Sequence, residues 1–263
     1  MYAANFDLSC YARRIGLNAV PTAATCDAAA LSQMMQAQLR SITFENLDVQ
    51  AGKIVSMEPE QIVAKILGSD GGAKRGGYCY ELNGLFAMAL TALGVSYQFV
   101  ACRPMFYPMR RPKTHMALVV HLAGEHYLCD LGFGSYGMRA PIALSQVNVP
   151  QPQDYDVFQL AMPQLGEYVL QARIDDTWVN QYGFNLSPSE WIDYLPANYL
   201  NSTHPDTIFV QKLLLIRQTA HGRVLLVGNE LKTSVAGETT VRTVDLSELD
   251  AVLLEQFGLV KTL

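Results

Sequence analysis

Apolar residues change their spacing at Gly94. Before it they recur three and four apart. Leu31, Met34, Met35 and Leu39 follow Asp27, a capping residue, and predict a helix. Ile62, Val63, Ile66 and Leu67 predict a second, opened at Ser56 with Pro59 in its first turn and stopped by Gly68. Leu82, Leu85, Phe86, Ala89, Leu90 and Leu93 predict a third, from near Tyr78 to Gly94. Beyond Gly94 come short β-branched or aromatic runs at 97–102, 114–122, 127–131, 168–174 and 178–184, which read as strands. Segments 208–218 and 223–227 read as further strands. Segment 145–154 reads as a surface loop, and 247–257 as a closing helix with Ser247 as its cap and Gly258 behind it. Helices, then strands, then a mixed tail describe an α+β chain, not alternating βαβ units.

Composition narrows the function. Of 263 residues, 50% are hydrophobic and 16% charged, the opposite of a disordered chain. The net charge of −5 argues against a nucleic-acid partner, which calls for a basic face. No apolar run reaches the ~18 residues that span a bilayer, and residues 1–10 carry no signal-peptide pattern, so no membrane is expected. Five scattered cysteines fit free thiols in a reducing cytoplasm, and none has zinc-ribbon spacing, so no metal is expected.

The segment Arg75-Gly76-Gly77-Tyr78-Cys79-Tyr80-Glu81-Leu82-Asn83-Gly84 carries the chemistry. Its glycines turn the chain tightly into a helix, and Cys79 falls in the first turn. Free N–H groups and the helix dipole there favour a thiolate, so a lowered thiol pKa is expected, and the same N–H groups suit an oxyanion. His115 and Asp130 lie on two predicted strands joined near Ala123-Gly124-Glu125. A two-residue turn, either Ala123-Gly124 or Gly124-Glu125, puts both side chains on one face. With Ala117 opposite Asp130 they become diagonal neighbours, whereas a three-residue loop separates them. A Cys–His–Asp set is then available, with His115 taking the thiol proton and Asp130 steadying the imidazolium.

Here the sequence resembles the arylamine N-acetyltransferases. The likeness rests on Arg-Gly-Gly-Tyr-Cys-Tyr-Glu-Leu-Asn at 75–83, Thr114-His115-Met116, and Asp130-Leu131-Gly132-Phe133-Gly134, in the family's order. It extends to 11–17, to Phe44-Glu45-Asn46-Leu47-Asp48, and to 178–184 and 198–209. The resemblance implies three parts: a helical bundle (1–95) carrying the nucleophile, a β-barrel (96–195) carrying His and Asp, and an α/β lid (196–263), around a cysteine-protease-like Cys-His-Asp core. It implies a ping-pong reaction with acetyl-coenzyme A as donor and an arylamine, hydrazine or N-hydroxyarylamine as acceptor. It further implies that Cys79, His115 and Asp130 are catalytic, and that Arg111, Thr114, Gly134, Tyr199 and Thr203 contact coenzyme A. By the same likeness Phe44, Val100, Phe133 and Phe209 line an acceptor pocket, and Arg75 pairs with Glu45. Two other readings stay open: an amide or macrolactam synthase of this fold fed by a carrier-bound thioester, and a cysteine hydrolase. Oligomeric state is not legible.

Two further patterns need a reading. Gly132-Phe133-Gly134-Ser135-Tyr136-Gly137 matches G-x-G-x-x-G, but no amphipathic helix or βαβ unit follows, so it reads as a backbone-exposing loop rather than a dinucleotide site. Arg103, Arg110, Arg111 and Lys113 cluster before His115, either to attract coenzyme A phosphates or as a solvated loop. The remaining histidines read as structural or exposed.

Overall fold

The computed structural model describes residues 1–68, 74–134 and 136–260, so Ser135 of the glycine pattern lies outside the described residues. The chain opens with α1 (Leu8–Ile15), α2 (Ala28–Ser41), β1 (Phe44–Glu45), α3 (Leu47–Gln50), α4 (Pro59–Leu67) and α5 (Cys79–Leu93). Local chemistry sets these bounds. Asp27 caps α2, its Oδ1 accepting the Ala30 N–H at 2.8 Å. Pro59 occupies the first position of α4, where its missing N–H costs nothing. Ser56 therefore does not open that helix; its hydroxyl accepts the Glu58 N–H in the preceding turn. In α5 only Thr91 and Ala92 escape burial, which marks it as the central helix.

Eight antiparallel strands follow: β2 (Ser96–Pro104), β3 (His115–Leu122), β4 (Glu125–Cys129), β5 (Ile142–Ala143), β6 (Gln151–Gln153), β7 (Asp156–Gln164), β8 (Glu167–Ile174) and β9 (Thr177–Asn185). Their order is β5-β4-β3-β2-β9-β8-β7-β6. Just past β5, Val147 bridges Leu160 of β7, so the sheet curls until its two sides approach, a nearly closed barrel. β6 falls inside the segment expected to be a loop, and β7 was not foreseen.

The last part holds α6 (Leu195–Thr203), α7 (Ile208–Gln211), β10 (Leu214–Thr219), β11 (Gly222–Val227), β12 (Glu230–Val235), β13 (Glu238–Thr243) and α8 (Leu249–Phe257). The second sheet runs β1-β10-β11-β12-β13. Early β1 thus sits beside late β10, and Phe44 also bridges Gly77. That pairing ties the cysteine loop to the C-terminal sheet. Two expectations are corrected here. Segment 208–218 is a helical turn followed by a strand, because the Asn46 amide donates to the Phe209 and Lys212 carbonyls and holds the turn. Ser247 lies inside a 3-10 turn, Leu246–Glu248, that leads into α8, so it is not a cap. The β12–β13 hairpin had no sequence signal. Among the described residues no helix is long and apolar enough to cross a membrane.

Candidate active site

The hairpin turn settles the geometry. β3 and β4 pair Leu122 with Glu125 and Leu118 with Cys129, leaving Ala123 and Gly124 as the two-residue turn. Their φ values of 50° and 81° are those of a tight hairpin turn whose twist matches the strands. Continuing the register sets Asp130 against Ala117, so His115 is its diagonal neighbour. His115 Nε2 lies 2.7 Å from Asp130 Oδ2, and both side chains are buried. Nδ1 is then the ring nitrogen left for another partner.

Asn83 joins this pair to the cysteine helix. It stands one turn after Cys79 on α5, on the same face. Its amide donates to Asp130 Oδ1 at 3.1 Å and to the Met116 carbonyl at 2.9 Å, and its oxygen accepts the Leu131 N–H at 2.9 Å. The Gly132 N–H also reaches Asp130 Oδ1. Gly132 is a glycine of necessity: a Cβ there would lie 2.5 Å from Cys79 Cα. Burial pushes the Asp130 carboxyl up, but the His115 charge and hydrogen bond, the Gly132 N–H and the Asn83 amide outweigh it and hold Asp130 below the usual carboxylate range.

For the thiol the outcome differs from expectation. Burial and the Asp130 charge push Cys79 well above the usual thiol value, while the Tyr80 and Cys79 N–H groups at the helix start pull the other way. The first-turn position therefore does not by itself bring the thiol below its usual value.

Cys79 and His115 open onto one cavity of about 90 Å³, walled also by Phe106, Phe133, Asn201 and Phe209. The Tyr80 hydroxyl and the Asn201 amide both donate to the Thr114 carbonyl and fix the chain just ahead of His115. The Tyr182 ring packs 5.1 Å from His115 and 4.9 Å from Phe133. A larger cavity of about 330 Å³ adjoins, lined by Arg103, Arg110, Lys113 and Tyr168, with Pro104 and Tyr107 lining both. Segment 104–114 is the partition.

The expected site residues divide. Arg111, Thr114, Phe133 and Phe209 line the cysteine cavity. Phe44 sits behind it, 6.2 Å from Phe209, and lines a small neighbouring space with Phe133 and Gly134. Val100 is fully buried opposite Ala117 in the β2–β3 core and lines neither cavity. Tyr199 and Thr203 are exposed on α6, hydrogen-bonded to each other through the Tyr199 carbonyl, and line neither cavity. Phe106, Leu200, Asn201, Thr207 and Ile208 line the cysteine cavity without having been singled out. The last four lie in segment 198–209 or its first residues, which carried the only sequence signal for them.

Beneath the cysteine loop lies a charge cluster in which Glu45 and Glu81 are buried and Arg75, Lys65 and Asp48 are half-buried. Arg75 donates to Glu45 through Nε at 3.1 Å and Nη2 at 2.8 Å, and to Asp48 at 2.8 Å. Lys65 completes it through Asp48 and Glu81, each at 2.7 Å. Among the described residues no three His, Cys, Asp or Glu gather to hold a metal ion, and all five cysteines are free.

Comparison with known proteins gives the class first. A family model described as N-acetyltransferase matches residues 27–262. The arylamine N-acetyltransferase / N-hydroxyarylamine O-acetyltransferase of Salmonella typhimurium is 31% identical over 224 residues, 83% of this chain and 78% of that one. The arylamine N-acetyltransferase of Mycobacterium tuberculosis is 32% identical over 262 residues, 96% and 89% of the two chains. The solved Salmonella structure matches with a TM-score of 0.88 at 28% identity, covering 98% of this chain and 92% of that one. The Mycobacterium marinum enzyme in complex with CoA matches at 0.87 and 29%, covering 96% and 93%. This chain belongs to the arylamine N-acetyltransferase family.

Proposed function

We propose that the chain moves an acetyl group from acetyl-coenzyme A to an arylamine, hydrazine or N-hydroxyarylamine through a thioester on Cys79. The observation that carries this reading is that Cys79 shares a cavity with a histidine already bonded to a buried aspartate. His115 Nδ1 takes the thiol proton, and Asp130 offsets the imidazolium charge. That proton transfer supplies the thiolate which burial alone would suppress. The thiolate attacks the acetyl carbonyl; the oxyanion rests on the Cys79 and Tyr80 N–H groups. Coenzyme A leaves as its thiol with the proton from His115. A neutral amine then attacks the acetyl-cysteine, gives its proton to His115, and departs as the amide while the thiolate re-forms.

The three parts divide this work: the helical part supplies the thiol, the curled sheet the imidazole and carboxylate, and the last part the far wall through Asn201 and Phe209. The aromatic walls suit flat acceptors. Arg111 and Thr114 at the cavity, with Arg103, Arg110 and Lys113 next door, suit the phosphates of the donor. Unpaired thiols suit a cytoplasmic setting. Steady-state kinetics test the reading. With acetyl-coenzyme A and an arylamine, parallel double-reciprocal lines and an N-acetylated product are expected. Free coenzyme A released at the same rate without amine would favour a hydrolase. Turnover of carrier-bound thioesters alone would favour an amide synthase.

A further inference from the structure

The charge cluster under the cysteine loop holds a residue with no role in the reaction so far. Lys65 stands in the last turn of α4, its side chain 15% exposed. Its ammonium reaches Glu81 Oε1 at 2.7 Å, Asp48 Oδ2 at 2.7 Å and Glu45 Oε1 at 3.7 Å. Its own carbonyl accepts the Arg75 N–H. Glu81 is the third residue of α5, and its other oxygen accepts the Tyr78 N–H at 3.0 Å, which satisfies a backbone donor at the helix start. Glu81 also packs hard on the loop: a Cβ on Gly77 would meet its carboxylate at 2.7 Å.

That arrangement has a cost. A carboxylate two residues from Cys79 opposes ionisation of the thiol. We propose that Lys65 is a positioning residue for the thiol chemistry: it pins the Glu81 carboxylate against the Tyr78 N–H and offsets part of its charge beside Cys79. The groups around Glu81 support this. Lys65 faces it from α4 and Glu45 from β1, Cys79 shares its helix, and Asp48 of α3 and Arg75 of the loop join the cluster through Lys65 and Glu45. The Asp130 charge acts on Cys79 from the hairpin, and His115 lines the same cavity as the thiol. Burial and Glu45 hold Glu81 above its ordinary value against the pull of Lys65; burial opposes the Lys65 charge, and the three carboxylates more than restore it. Lys65 is therefore the cation that lets a buried carboxylate cap the cysteine helix with less suppression of the nucleophile. The charge of Arg75 is engaged with Glu45 and Asp48 and does not reach Glu81 within bonding distance among the described residues.

The test reads the thiol directly. Wild type, K65M, K65R, E81Q and K65M/E81Q are alkylated with iodoacetamide across pH, and the Cys79 peptide is quantified by mass spectrometry. K65M should raise the midpoint of Cys79 alkylation by roughly half to one pH unit, and E81Q should lower it. The double variant should fall back towards wild type, and K65R should stay close to it. A purely structural Lys65 would lower thermal stability and leave every midpoint in place, which overturns the proposal. If K65M does not fold, the polar K65Q replaces it: a raised midpoint supports the proposal and an unmoved one refutes it. In the acetyl-transfer assay K65M should lose roughly tenfold in kcat with little change in acceptor KM. Only that last arm rests on the proposed function. An enzyme that never accepts acetyl-coenzyme A sinks the function and leaves the alkylation result standing.

Discussion

Arg75→Ala probes the cluster that carries the cysteine loop. The guanidinium gives Glu45 bonds at 2.8, 3.0 and 3.1 Å and Asp48 one at 2.8 Å, and the Glu45 side chain has no exposure. Removing one partner of a buried ion pair costs about 3–5 kcal/mol, because the other charge is left uncompensated. Glu45 would keep the Leu47 N–H at 2.7 Å and Lys65 at 3.7 Å. The loss should therefore fall at the lower end, about 3 kcal/mol. For a chain of this length that lowers Tm by roughly 6–12 °C. The assay is urea and thermal unfolding of wild type, Arg75→Ala, Glu45→Gln and the double variant. The double variant should lose less than the sum of the singles by about 2 kcal/mol. A loss under about 1 kcal/mol, the size of an exposed pair, would refute the reasoning, as would strict additivity.

The other predictions concern the site. Cys79→Ala and Cys79→Ser should fold as wild type by circular dichroism and have no transferase activity; an active Cys79→Ala removes the nucleophile assignment. Asp130→Asn should slow turnover by roughly 10³–10⁴-fold, because the imidazole loses its orienting carboxylate, and full activity in a rate assay would take Asp130 out of the mechanism. The native state holds Asp130 and Asp48 below their ordinary carboxylate values. Their stabilisation is then fully present above about pH 4 and is lost as pH falls through the lowered values. In acid-unfolding curves Asp130→Asn should flatten that slope; an unchanged slope contradicts it. Val100→Ala should cost about 2–3 kcal/mol in unfolding assays and leave acceptor KM alone, whereas Phe209→Ala should raise acceptor KM roughly tenfold. The reverse pattern would put Val100 at the pocket.

What could be read from the sequence was what short-range chemistry dictates. Asp27, Pro59 and Gly94 punctuate α2, α4 and α5 because caps and breakers act within a turn of themselves. The His115–Asp130 pairing was readable because a two-residue turn leaves only two registers, and period-two alternation does the rest. Val100 was not readable: an apolar strand residue looks the same whether it faces core or cavity. The 208–218 stretch looks like a strand because Ile208, Phe209 and Val210 are β-formers, but the Asn46 amide, 163 residues away in sequence from Phe209, holds a helical turn there. β13 is exposed along its whole length at a sheet edge, so no apolar alternation marks it. The thiol was misread for a related reason. The helix start is local and visible, whereas the burial that overrides it comes in part from residues distant in sequence, Gly132 among them.

The most direct measurement is the intact mass of the protein after acetyl-coenzyme A is added without acceptor. The account predicts a gain of ~42 Da confined to the Cys79 peptide, and its disappearance with N-acetyl product when an arylamine follows. A mass that never moves, or an acetyl group found on some other residue, would contradict it.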